Sequence, residues 1–240
     1  MLENIKNEII KYGNIIDHKS FSPGTSGNIS ARYGDKIIIT ASGSSNGNLS
    51  SDDLILIDFN GNEVGDCETG NREQETEAKS KKQKAKSDEH AFYPLPFAFC
   101  PKKASSEKML HVEFYKKRKD INAIIHVHPP FLSSFAAARQ SLEEPVMAEN
   151  VFYFGKIPLA DYALPSSMAL VSNTAKYFDD YNAVLMANHG FVVGDTDLKQ
   201  AYLKLELAES YAQIVLNAKI LGGAVLLSDK EVAEIEALKN

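Results

Sequence analysis

Three histidines in this chain stand where imidazole rings can meet. His126 and His128 are two apart in Ala123-Ile-Ile-His-Val-His128, an apolar run stopped by Pro129 and Pro130. Side chains alternate faces along a strand, so both rings point the same way. Two such rings can chelate one cation at the roughly 2.0–2.1 Å that zinc prefers. His189 follows a second apolar run, 183–186, and precedes Gly190. If that strand lies beside the first, His189 closes a three-histidine site with a fourth position open, the arrangement of catalytic rather than structural zinc. On spacing alone the pair is equally consistent with ordinary surface or core histidines. The other three histidines lack this setting: His111 reads as a helix-surface residue, His90 as part of an insertion, and His18 stands apart.

Three Gly/Ser-rich segments could wrap an anion. Gly24-Thr-Ser-Gly-Asn28 and Thr40-Ala-Ser-Gly-Ser-Ser45 combine exposed backbone N–H groups, hydroxyls and the close approach that glycine permits. Ser105 and Ser106 precede a helix, whose free N–H groups and dipole favour an anion. None matches a P-loop or Gly-x-Gly-x-x-Gly, so a nucleotide site is not indicated. Glu107 follows Ser106. Its plain reading is compensation of the helix dipole; beside an anion loop and a cation it could be a general acid/base.

These residues need elements to hold them. Leu2, Ile5, Ile9, Tyr12 and Ile16 recur at helical spacing. Strands are predicted at 29–33, 36–40 and 54–58, the last running into Asn60-Gly61, a hairpin signal. Helices are predicted at 105–117, 132–138, 166–178 and 198–221, with strands at 123–128 and 183–186. Ser228 and Glu231 form a capping box for a last short helix. Between them, 67–104 departs from pattern. Residues 72–89 carry six basic and five acidic side chains and no large aliphatic, followed by an aromatic and proline patch. This stretch is expected to be an insertion, partly disordered, within one domain spanning 1–240. A solvated charged helix over 72–86 is the alternative.

Bulk properties narrow the classes. At 240 residues, 44% apolar and 24% charged, an ordinary globular core can be built. A net charge of -6 argues against a general nucleic-acid binder. No apolar run reaches bilayer length and the first eleven residues lack signal-peptide character, so a cytoplasmic location is expected. Cys67 and Cys100 are too few for a disulfide framework or a cysteine metal site.

Taken in order, Gly24-Thr-Ser-Gly-Asn-Ile-Ser30, Ile39-Thr-Ala-Ser-Gly43, Ser105-Ser-Glu-Lys108, His126-Val-His-Pro129 and Asn188-His-Gly190 resemble the class II aldolase/adducin family, in particular its L-fuculose-phosphate aldolase-like and L-ribulose-phosphate 4-epimerase-like enzymes. The stretch 162–170, through Pro165 and Ser166, is similar to that family's Tyr-x-x-Pro-Gly-Ser segment. The resemblance implies an α/β fold, three-layer α/β/α with a central, mainly antiparallel sheet. It implies a homotetramer with active sites at subunit interfaces. By matching position, His126, His128 and His189 would bind Zn2+, or another divalent metal. Gly27, Asn28, Ser42, Gly43, Ser105 and Ser106 would hold the phosphate of a small sugar-phosphate substrate, and Glu107 would move protons at the metal. The implied reaction cleaves a ketose 1-phosphate to glycerone phosphate and an aldehyde through an enediolate. Rivals on the same fold are a methylthioribulose-1-phosphate dehydratase and a ribulose-phosphate 4-epimerase; a non-catalytic, adducin-like binding module is the rival of another class. The chain departs from the family at Ala104, where proline normally precedes the serines. Residues 147–153 also show no match for the tyrosine that a neighbouring subunit supplies, leaving Tyr153 and Tyr211 as candidates.

Overall fold

The computed structural model describes residues 1–65 and 102–239. Most of the expected insertion, with both cysteines and His90, lies outside the described residues. Its last part does not: the amide of Ser42 bonds Lys103 O at 2.8 Å, and Ala104 bridges Ala41. Residues 103 and 104, at the end of the expected insertion, thus pair with the loop after β2.

The chain opens with helix α1 (Leu2–His18), followed by strands β1 (Asn28–Tyr33), β2 (Lys36–Thr40) and β3 (Leu54–Asp58). After residue 102 come α2 (Lys108–Lys117), β4 (Ala123–Val127), α3 (Pro130–Ala137), α4 (Ala148–Tyr153), β5 (Leu159–Ala160) and α5 (Met168–Ala175). The hairpin of β6 (Ala183–Met186) and β7 (Gly190–Asp195) leads to the long α6 (Leu198–Ile220) and to α7 (Asp229–Glu236). Seven strands form one sheet in the order β3-β2-β1-β4-β7-β6-β5. Every pairing is antiparallel except β5 with β6. The expected mainly antiparallel, three-layer architecture is what forms.

Helices cover both faces, which explains the uninterrupted apolar strands. Ile37, Ile38 and Ile39 in β2 are all fully buried although they alternate faces. One side packs Ile38, Ile125, Leu185 and Val193 against Ile9, Leu132, Phe135 and Leu205 of α1, α3 and α6. The other packs Ile37, Ile124, Val184 and Val192 against Leu110, Phe114, Leu170 and Val171 of α2 and α5. At about 1.5–3 kcal/mol per buried large aliphatic or aromatic side chain, these two layers are the main stabilising term.

Several differences from the sequence expectations are instructive. The strand beside β4 on the histidine side is β7, not the 183–186 strand; His189 sits in the turn between β6 and β7. Residues 190–195, Gly-Phe-Val-Val-Gly-Asp, are a buried strand whose two glycines broke its pattern. Helix α3 begins at Pro130 because proline, with no N–H to lose, suits the first helical position. No side chain of its own caps it. Instead Glu209, reaching across from α6 and only 5% exposed, accepts the amides of Phe131 and Leu132 at 2.8 Å each. That clamp holds the chain immediately after His128 to the long helix. No helix among the described residues is long and apolar enough to cross a membrane.

Candidate metal centre

Strand alternation and register bring the histidines together. His126 shares its face of β4 with Ile124, toward α2, and sits opposite Asn28 of β1 and Val192 of β7. His128 lies just past the strand end, where its amide bonds Phe21 O at 3.0 Å. His189 enters from the tight turn between β6 and β7. Asn188 takes a left-handed conformation there, φ 54°, which asparagine tolerates better than most residues. Its Oδ1 accepts from Arg139 Nε at 2.9 Å.

The three ring groups offer one nitrogen each, all within 4.8 Å of one another. His126 Nδ1 lies 2.9 Å from Phe191 O. A carbonyl can only accept, so Nδ1 carries a proton, and Nε2 is the nitrogen turned toward the neighbouring groups. His126 Nε2 is 3.2 Å from His128 Nε2 and 3.1 Å from Glu107 Oε2. Glu107 Oε1 is 3.3 Å from His189 Nε2, buried, and without a hydrogen-bond partner. Converging imidazole nitrogens with a carboxylate beside them fit a divalent cation of the zinc type.

The electrostatics point the same way. Burial, then the proximity of His126 and His189, pushes the His128 ring down to about 3. Burial and then His126 push His189 down to about 4. Both rings are therefore neutral at neutral pH, with no proton for a cation to displace. Burial opposes ionisation of Glu107, but the imidazole of His126, that of His189 and the Asn28 amide outweigh it. They hold this carboxyl well below the usual carboxylate range.

Glycine is required at two contacts. A Cβ on Gly190 would lie 2.3 Å from His128 Cδ2 and 2.7 Å from Val127 O. On Gly27, φ 75°, it would lie 2.6 Å from His126 O. Neither site admits a side chain without moving a histidine or its strand.

The three Gly/Ser-rich segments border the histidines. Residues of all three segments, namely Ser26, Gly27, Asn28, Ser42, Gly43, Ser105, Ser106 and Glu107, line one cavity with His128 and His189. Among the described residues no lysine or arginine lines it, and the donors they offer are hydroxyls and N–H groups. The Ser42 amide is committed to Lys103 O and the Ser105 amide to Thr40 O, at 2.8 and 3.1 Å, and Ser105 Oγ accepts from the Glu107 amide at 3.3 Å. Asn28 is only 4% exposed, and its amide bridges His111 and Glu107.

Sequence reasoning missed several residues here. His111 is not on the helix surface: it is fully buried, facing β1. Ser166 lines the cavity in a left-handed conformation, φ 64°, where the similar family segment has glycine, and its Oγ donates to Ser106 Oγ at 2.8 Å. Within the single chain neither candidate tyrosine lines the cavity, which leaves open the expectation that a neighbouring subunit supplies one. Tyr211 is buried with its hydroxyl on Glu144 O, and Tyr153 is 53% exposed on α4.

Asp53 organises the loop around Ser44. It accepts from Ser44 Oγ and Lys102 Nζ at 2.6 Å and caps residues 50–53 through Ser50. Burial opposes its ionisation, but Lys102, Ser44 and Ser50 prevail and hold it well below the usual carboxylate range. With the folded-state value depressed, the stability it contributes is present above the unfolded value of about 3.9 and is lost as pH falls through the folded one. Asp53→Asn is expected to cost about 1–3 kcal/mol near neutral pH. Thermal melts of the two proteins should show that gap closing progressively below about pH 4.

With this geometry in place, the relationships of the chain become informative. The model of the class II aldolase and adducin N-terminal domain matches residues 7–216. The chain belongs to this family. It is 31% identical over 211 residues to an L-fuculose phosphate aldolase of Methanocaldococcus jannaschii, covering 88% of this chain and 95% of that one. It is 26% identical over 238 residues to a 5-deoxy-D-ribulose 1-phosphate aldolase of Bacillus thuringiensis, covering 98% and 95%. A 3-oxo-tetronate 4-phosphate decarboxylase of Haemophilus influenzae is also 26% identical, over 96% of this chain and 95% of its own. Among solved structures, an L-fuculose 1-phosphate aldolase superposes with a TM-score of 0.78 at 28% identity, covering 98% of this chain and 95% of that chain.

Proposed function

We propose that this member of the family is a divalent-metal-dependent aldolase that cleaves a ketose 1-phosphate to glycerone phosphate and an aldehyde. In this reading His126, His128 and His189 hold the metal, zinc by the donor set. Gly27, Asn28, Ser42, Gly43, Ser105 and Ser106 receive the phosphate. The observation that carries it is the place of Glu107: its carboxylate spans two of three clustered imidazoles, at 3.1 and 3.3 Å, on the wall of the cavity that the anion loops border.

When bound, the metal would act as a Lewis acid toward the substrate carbonyl and its neighbouring hydroxyl. The chain supplies the rest. The hydroxyls and loop amides grip the phosphate away from the reacting carbons, so remote binding energy orients the bond to be cleaved. Glu107, anionic and with Oε1 unpartnered, moves the proton at the substrate carbon that keeps the bonding electrons. His126 Nδ1 stays anchored on Phe191 O, which fixes the direction of its other nitrogen.

In this reading Ser166 adds a hydroxyl to the phosphate cup at the expense of backbone strain. Ser166→Gly is expected to leave stability unchanged or raise it by up to about 1 kcal/mol, because glycine adopts positive φ freely. The same change should raise KM for the phosphate ester about 2- to 10-fold, from the loss of a hydrogen bond to a charged group. A melt and a saturation curve on one preparation check both.

Product analysis tests the reaction type. Incubating the metal-loaded protein with a panel of ketose 1-phosphates should release glycerone phosphate and aldehyde in equal amounts. Carbon dioxide from a 3-oxo acid phosphate, a diketo product, or an epimer without fragmentation would each replace this reading with another family chemistry.

A further inference from the structure

We propose that Tyr115, Ser30 and His111 form a buried one-way hydrogen-bond relay that locks the side-chain amide of Asn28 so that it donates to Glu107. The inference rests on the role given to Glu107 above and assigns positioning residues to it.

The relay comes from two matched periodicities. Glu107, His111 and Tyr115 are four apart, at the start of α2 and along it, so they form one stripe of the helix. Asn28 and Ser30 are two apart on β1 and share one face of the strand. One helical turn rises about 5.4 Å and two strand residues span about 6.6 Å, so the stripes meet in register. Tyr115 OH lies 2.9 Å from Ser30 Oγ, and Ser30 Oγ lies 2.6 Å from His111 Nδ1. His111 Nε2 lies 2.5 Å from Asn28 Oδ1, and Asn28 Nδ2 lies 3.1 Å from Glu107 Oε2. Ser30, His111 and Tyr115 are fully buried.

Each proton position follows from the end of the chain. A carboxylate only accepts, so Asn28 must turn its Nδ2 toward Glu107. Its Oδ1 then faces His111 and requires an N–H there, which places the proton on Nε2. Nδ1 is left as an acceptor and takes the Ser30 hydroxyl proton; Ser30 oxygen in turn accepts from Tyr115. Burial and the neighbouring His126 push the His111 ring down to about 3, so it stays neutral and the order is not scrambled. Reversing any one member would set two acceptors or two donors against each other in the interior, where an unmatched polar group is strongly disfavoured. Asn28 therefore cannot flip, and the donor presented to Glu107 is permanent.

The test uses the metal-free full chain labelled with 15N-histidine, at neutral pH. Long-range 1H–15N correlations of His111, assigned by their loss in His111→Gln, should report the Nε2–H tautomer. The Nδ1–H tautomer, or a doubly protonated ring, overturns the relay. This readout needs no turnover, so a failed relay and a failed aldolase reading are separate results. Two further variants separate positioning from packing. In His111→Gln the amide nitrogen can replace Nε2–H toward Asn28, and kcat should stay within about threefold of wild type. In His111→Asn the shorter amide reaches the Nδ1 position but not Asn28, and kcat should fall about 10- to 100-fold with KM little changed. If both variants lose kcat equally, in step with Tm, the residue only packs and the proposal fails.

Discussion

Replacing Glu107 with Gln is expected to lower kcat by about 10²- to 10⁴-fold while leaving KM and metal content close to wild type. The substitution keeps the shape of the side chain and an acceptor for Asn28 Nδ2. It removes the charge and the ability to move a proton. If Glu107 served only the dipole of α2, the cost would be a fraction of a kcal/mol in stability and activity would persist. Single-turnover cleavage by metal-loaded Glu107→Gln, with metal content measured on the same sample, separates these roles. Activity within about tenfold of wild type would remove Glu107 from the chemistry.

The second large effect is expected from one methyl group. Gly190→Ala places a Cβ 2.3 Å from His128 Cδ2, 2.7 Å from Val127 O and 3.1 Å from His128 Nε2. The backbone of β4 cannot retreat, because Val127 pairs with Phe191 in the ladder with β7. The imidazole of His128 must therefore swing away, and it is the group meant to converge with His126 and His189. Overpacking of this kind costs about 1–3 kcal/mol. Metal affinity should fall at least about tenfold, as it does when the alignment of a ligand is lost. A chelator-competition titration and a thermal melt of the metal-free protein give the two numbers. Wild-type affinity in Gly190→Ala would mean that His128 does not ligate.

How far the sequence carried this account can be argued from particular residues. The histidine site was legible because strand alternation makes His-x-His a geometric statement and Pro129-Pro130 marks where the strand ends. The route by which His189 joins was not, since Gly190 and Gly194 masked β7 and attention fell on β6 instead. The same glycines are needed where they stand, against His128 and against Ile121 and Phe114. The anion loops were readable as loops, but their convergence depends on long-range pairing of residues 41–42 with 103–104, which no local pattern announces. His111 was misplaced for a physical reason: it lies on a partly polar stripe with Glu107 and Tyr115, while Leu110 and Phe114 beside it carry the apolar signal, so hydrophobic periodicity points to them instead. Reading Glu107, His111 and Tyr115 as a four-residue repeat beside Asn28 and Ser30 would have found it. Glu209 carries no local signal, because it caps a helix some eighty positions earlier in the chain.

The central claim is that a metal held by His126, His128 and His189 is indispensable to carbon–carbon cleavage. It is tested by stripping the protein with a chelator, returning zinc in steps, and following glycerone phosphate released from a ketose 1-phosphate. The account predicts no cleavage without metal and full recovery at one equivalent per chain, with recovery lost in His128→Ala. Undiminished cleavage by the stripped protein, or recovery in His128→Ala equal to wild type, would contradict it.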